Sequence, residues 1–218
     1  MVKSSAAQKL DELGSPRRLR RVGFSDGPPP VRPNVPVLNN ARLAVVMLLA
    51  AELMFFAGLI GAFLVFRLSA TVWPPPFQPR LPLGVTGVNS LILLFSALTM
   101  HRAVLAARAG VAGKLTRNLS ITAVLGLFFL FIQGYEWVRL VHFGLTTSSS
   151  VYGGLFYTLI GAHGAHVFGG LIWLLIVSWQ AHRGRFTEKN FVGVQTARMY
   201  WTFVVALWPL LYVLVYLY

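Results

Sequence analysis

Residues 51–66 read AELMFFAGLIGAFLVF, a run in which Glu52 is the only charged side chain. The apolar stretch reaches from Arg42 to Arg67, longer than the ~20 residues a helix needs to cross the hydrocarbon of a bilayer. It therefore reads as a membrane-spanning helix with an acid inside it. An ionisable group at that depth is expensive unless it is paired or protonated, so Glu52 is a candidate functional residue from the outset.

Four further windows have the same character, at roughly 83–107, 118–141, 152–179 and 197–218. Between them, WPPPFQPRLP at 73–82 cannot continue a helix, because proline lacks the amide donor and clashes with the preceding turn. Ala109–Gly113 and Thr146–Ser150 are small or polar turn segments. The expected fold is all-α, a polytopic membrane protein with a bundle of five transmembrane helices over residues 41–218. With 56% hydrophobic residues, 11% charged and a mean hydropathy of +0.66, the composition lies outside the range of soluble domains.

Residues 1–40 are basic and proline-rich (SPRRLRR, then DGPPPVRPNVPVLNN) and bury too little apolar surface to fold alone, so they read as a disordered cytoplasmic tail. They are not a signal peptide, since no apolar core follows the early basic residues before Arg42. Of the 19 Lys and Arg, only Arg67, Arg80 and Arg139 fall in the loops of one side, and all the others fall in the tail and alternate loops of the other. Positive charge collects on the cytoplasmic side, which puts the N-terminus in the cytoplasm and the C-terminus outside. The net charge of +13 then reflects an anionic membrane surface. No basic stripe interleaves with aromatics, so no nucleic-acid partner is expected.

At 1.5 Å of rise per residue, Glu52 lies roughly 15 Å into the first helix. His163 and His166, in GAHGAH of the fourth, lie roughly 16 to 21 Å from its start, so these three groups share a depth. The two histidines, three residues apart, share a helix face. They fall short of a metal site, which needs three or four ligands; hydrogen bonding to neighbouring helices and a proton-linked role are the other readings. Glu136 lies near the outer end of the third helix, with Gln133 one turn beneath it and Arg139 at i+3 as a partner. Trp73, Trp201 and the set Tyr212, Tyr216 and Tyr218 suit interfacial aromatic belts, with Trp73, Gln133 and Trp201 read as lipid or helix contacts. With no cysteine, iron–sulfur clusters, thiolate zinc and a dicysteine copper centre are excluded, and five histidines are too few for haem–copper chemistry. The chain has no visible reaction centre of its own, and a small transporter using the three ionisable groups as a polar path stands as the competing class.

Five stretches in order, AELMFFAGLIGAF, WPP followed by LPLGVTGVNSLILLFSALTMHRA, LGLFFLFIQGYEW, SVYGGLFYTLIGAHGAHVFGGLIWL and MYWTFVVALWPLLYVLVYLY, resemble subunit III of haem-copper cytochrome c oxidases over about residues 42–218. The resemblance implies a non-redox core subunit of a bacterial plasma-membrane oxidase, beside subunit I and subunit II. Haem and copper are expected in those partner subunits. It further implies that the chain protects subunit I from inactivation, supports proton uptake and holds structural phospholipid, with a larger respiratory supercomplex as a further partner. Glu52 matches the family's carbodiimide-reactive glutamate, Glu136 the acid of its QxxE motif, and His163 and His166 its HGxH pair. Two departures stand out. Relatives often have seven helices where five are expected here, and the family ending YWHFVDVVW reads YWTFVVALW, with Thr202 and Val205 replacing His and Asp. A subunit III-like part of a quinol oxidase or nitric oxide reductase is the alternative within this class.

Overall fold

The structure, a computed structural model, describes residues 40–76, 79 and 81–218. The tail assigned to residues 1–40 lies, but for Asn40, outside the described residues, as does Arg80. Among the described residues there are five long helices and no strand: α1 (Asn40–Ser69), α2 (Leu83–Arg108), α3 (Ala112–His142), α4 (Val151–His182) and α5 (Val192–Tyr212), the last continued by a π-helical turn, Val213–Leu217. All five are long and apolar enough to cross a membrane, with α5 counted through its π turn. The protein is thus a multi-pass membrane protein, with five spans among the described residues.

Three helices start or end beyond the expected apolar windows. α3 begins at Ala112 rather than near 118, α4 runs on to His182, and α5 begins at Val192 rather than near 197. Lys114 and Arg117 in α3 and Gln195 and Thr196 in α5 dilute the apolar signal there, yet backbone hydrogen bonding carries a helix past the hydrocarbon, where polar and cationic side chains reach water. The helix ends themselves follow local rules. α2, α3 and α4 are each closed by a glycine at positive φ, Gly110, Gly144 and Gly184, a conformation that costs a residue with a Cβ. The amide of the next residue then bonds back to the last turn, as Leu145 does to the Leu140 carbonyl at 3.0 Å. Ser150 caps α4 by accepting from the Gly153 amide at 3.1 Å.

Helices α2 to α5 close a four-helix ring, α2 against α3, α3 against α4, α4 against α5 and α5 back against α2. Helix α1 lies outside it and leans on α5 and α4. Its apolar window is 11% buried, against 33–44% in the others, so α1 is the peripheral element. The ring is organised around Trp201 of α5. Its indole fits against Gly126 of α3 and Gly170 of α4, where a Cβ would come within 2.6 Å and 3.2 Å of the ring, and its Nε1 donates to Ser96 of α2 at 3.0 Å. Trp208, two turns on, repeats the device by donating to Ser90 of α2 at 2.7 Å. In lipid the packing of small residues and satisfied polar groups holds helices together, because no hydrophobic driving force acts between them.

Candidate functional site

The seam by which α1 meets the ring runs through Val45, Leu49, Glu52, Phe56, Leu59 and Phe63, alternate steps of three and four residues. Glu52 therefore occupies a position where the pattern calls for an apolar side chain. Its Oε2 lies 2.7 Å from Nε2 of His166 on α4. Phe56, one turn along α1, packs edge-on against the same imidazole at 5.0 Å, and Phe55 stands at 5.8 Å. Each partner's side chain is only 20% exposed.

The proton inventory of this pair follows from its second contact. Nδ1 of His166 lies 2.6 Å from the backbone carbonyl of Ala162, and a carbonyl only accepts, so Nδ1 carries a hydrogen. Nε2 then meets Glu52 in one of two ways. Either a protonated carboxyl donates to a neutral imidazole, or an imidazolium donates to a carboxylate. In both forms one proton lies between the two heavy atoms and the pair is neutral as a unit, which removes most of the cost of a bare charge at this depth.

His163 does not join it. Three residues of helix turn it about 60° from His166, enough to send it into the ring, where it is 1% exposed and stacks on Trp208 at 5.0 Å with Phe129 at 6.5 Å. Neither of its ring nitrogens has a hydrogen-bond partner. The shared depth of the three groups is thus realised as one pair, with Phe56 between the two histidines. Among the described residues no three His, Cys, Asp or Glu side chains group as metal ligands.

Glu136 is buried at 4% exposure and accepts from Nη1 of Arg139 at 3.2 Å, the i+3 pair its spacing suggested. Gln133, equally buried, donates to the Tyr216 hydroxyl at 3.3 Å and so ties α3 to the π turn. Trp73 wedges between α1 and α4, edge-on to Phe63 at 5.8 Å and Tyr152 at 5.0 Å, with the Arg67 guanidinium over its ring. Trp201 and Tyr216 are core residues rather than belt residues. They are 1% and 7% exposed: Trp201 fits where Gly126 and Gly170 leave space for a large aromatic, and Tyr216 packs edge-on to Phe156 and Trp208. Sequence reasoning missed Tyr200, whose hydroxyl donates to the His166 carbonyl at 3.4 Å; an aromatic on α5 carries no such signal by itself.

A family model described as cytochrome c oxidase subunit III matches residues 32–218. The chain is 40% identical to cytochrome c oxidase subunit 3 of Synechocystis sp., over 79% of this chain and 73% of that protein. It is 37% and 36% identical to proteins named probable cytochrome c oxidase subunit 3 in Nocardia farcinica and Mycobacterium leprae, in each case over 82% of this chain and 88% of theirs. The chain belongs to the cytochrome c oxidase subunit III family. It is a subunit of the oxygen-reducing haem-copper oxidase, and the relatives' names favour that reading over quinol oxidase, nitric oxide reductase or a transporter. Within this subunit III, the two departures from the family ending fall in different surroundings. Val205 is buried in the ring, whereas Thr202 is exposed on the outer face of α5.

Proposed function

We propose that this subunit III stands beside subunit I and subunit II of an oxidase in a bacterial plasma membrane, leaves haem and copper to those partners, and supports proton uptake and sustained turnover through Glu52 and His166. The observation that carries the reading is the 2.7 Å contact between the Glu52 carboxyl of α1, the most exposed helix of the bundle, and the His166 imidazole of α4. A pair of this kind in the ring core would serve packing. Between α1 and α4 it lies at the edge of the subunit, where a neighbouring subunit can exchange protons with it. The distribution of Lys and Arg supports a cytoplasmic N-terminus, which puts the loops after α2 and α4 on the side from which protons are taken up.

The test is purification of the tagged chain from native membranes in mild detergent, with a reduced-minus-oxidised optical spectrum and oxygen consumption. The proposal expects a haem spectrum, activity and subunits I and II in stoichiometric amounts. A colourless preparation without a haem-binding partner contradicts it.

A further inference from the structure

The contact between Glu52 of α1 and His166 of α4 has a neighbour on a third helix, Tyr200 of α5, whose hydroxyl lies 3.4 Å from the backbone carbonyl of His166. The phenol reaches the backbone of α4 because Gly170 stands there without a side chain; a Cβ at that position would come within 3.1 Å of the ring edge. Trp173 holds the ring from the side, with centroids 5.6 Å apart. Tyr200 is buried, and it lies within electrostatic reach of the Glu52 carboxylate.

The bond that Tyr200 makes is a loose one. Hydroxyl-to-oxygen hydrogen bonds run to about 3.0 Å, and the His166 carbonyl already takes the amide four residues on in the ladder of α4. The carbonyl therefore has little need of the phenol. Glu52 does: its contact with His166 uses Oε2 and leaves Oε1 for a second donor. The two proton forms of the pair differ in what they ask of that donor. A protonated carboxyl gains little from it, whereas a carboxylate in a low-dielectric setting gains a charge-assisted hydrogen bond. The hydroxyl hydrogen turns about its C–O bond to suit either acceptor. No other ionisable side chain competes at this junction. On α4, His163 is stacked on Trp208 inside the ring, α1 has only Glu52 between Arg42 and Arg67, and Arg42 and Arg198 of α5 line a groove at the inner end.

We infer that Tyr200 is a positioning residue that selects the proton form of the Glu52–His166 pair: its hydroxyl rests on the His166 carbonyl while the carboxyl keeps its proton, and turns to donate to the carboxylate when that proton passes to the imidazole. The phenol keeps its own proton throughout; only the direction of its O–H bond changes. Because the turned hydroxyl stabilises the ionised carboxyl alone, it lowers the pH at which Glu52 gives up its proton. The inference rests on the proton role proposed for the pair and names the group that regulates it.

The experiment records infrared spectra of the purified oxidase complex across pH, with the carbonyl stretch of the protonated Glu52 carboxyl identified as the band missing from Glu52→Gln. Tyr200→Phe keeps the ring against Gly170 and Trp173 and removes only the hydroxyl. It is expected to raise the pH of half-ionisation by about one unit, a tenfold gain in proton affinity. Tyr212→Phe, which removes a hydroxyl that donates to the Leu83 carbonyl at 3.0 Å on the outer side, is expected to leave it at the wild-type value. An unchanged half-ionisation in Tyr200→Phe overturns the inference, as does an equal shift in Tyr212→Phe or a Glu52 band that does not titrate. The time course of oxygen consumption in Glu52→Gln separates this result from the proton reading. A shift in Tyr200→Phe beside a wild-type active lifetime in Glu52→Gln upholds Tyr200 and removes the pair's function, whereas no shift beside a shortened lifetime removes Tyr200 and leaves the function standing.

Discussion

The pairing of Glu52 with His166 can be measured as a coupling energy. Glu52→Ala and His166→Ala each remove one partner of the 2.7 Å contact and leave the other in a low-dielectric setting with its hydrogen-bonding capacity unmet. Hydrogen bonds to charged groups contribute ~1.5–3 kcal/mol in proteins generally, whereas side-chain hydrogen bonds between membrane helices average ~0.6 and reach ~1.7 kcal/mol. The pair carries one shared proton and its side chains are 20% exposed, which places it toward the upper end of the membrane range. A double-mutant cycle is therefore expected to give about 1–1.5 kcal/mol of coupling. The assay is reversible unfolding of the full-length chain in mixed detergent micelles, followed by tryptophan fluorescence. Glu52→Gln is the informative third variant: its amide N–H still donates to Nε2 of His166, so it is expected to lose less stability than Glu52→Ala. A coupling below about 0.5 kcal/mol, the scatter seen between sites that do not touch, would refute the pair as a structural unit.

Other outcomes follow from the same geometry. Trp201→Ala, which empties the space between Gly126 and Gly170 and removes the indole donor from the Ser96 hydroxyl, is expected to cost ~3–5 kcal/mol in the same unfolding assay, and a cost under 1 kcal/mol would show that the ring collapses around the gap. Arg139→Ala is expected to destabilise more than Glu136→Gln, because the first leaves a carboxylate at 4% exposure without its partner while the second leaves a neutral amide; the reverse order contradicts the buried-pair account. The native chain has no cysteine, so single-cysteine labelling reports topology cleanly. Ser148→Cys is expected to react with a membrane-impermeant maleimide in intact cells and Lys189→Cys only after lysis, and the opposite pattern inverts the orientation.

The five spans were legible because each is a long apolar run, and proline and glycine mark most of the breaks. Where the windows fell short, at Ala112–Arg117 and Val192–Thr196, the cause was charge and polarity on helical turns outside the apolar slab, which hydropathy cannot separate from loop. Glu52 and His166 were legible as costly groups of equal depth, but depth alone could not divide His166 from His163. That choice depends on about 60° of rotation around α4 and on Phe56 filling the space between them. Trp201 was misplaced for a related reason. Composition says that an aromatic near a helix end suits the interface, while its burial is decided by two glycines on other helices, a relation between residues distant in sequence.

The central claim, that Glu52 and His166 handle a proton for the oxidase, is tested most directly by the time course of oxygen consumption in the purified complex carrying Glu52→Gln. This change keeps the hydrogen bond to His166 and removes the ionisable proton. The account predicts an initial rate near that of wild type with a shorter active lifetime and slower proton uptake. Lifetime and uptake equal to wild type would contradict it and leave Glu52 as a contact between two helices.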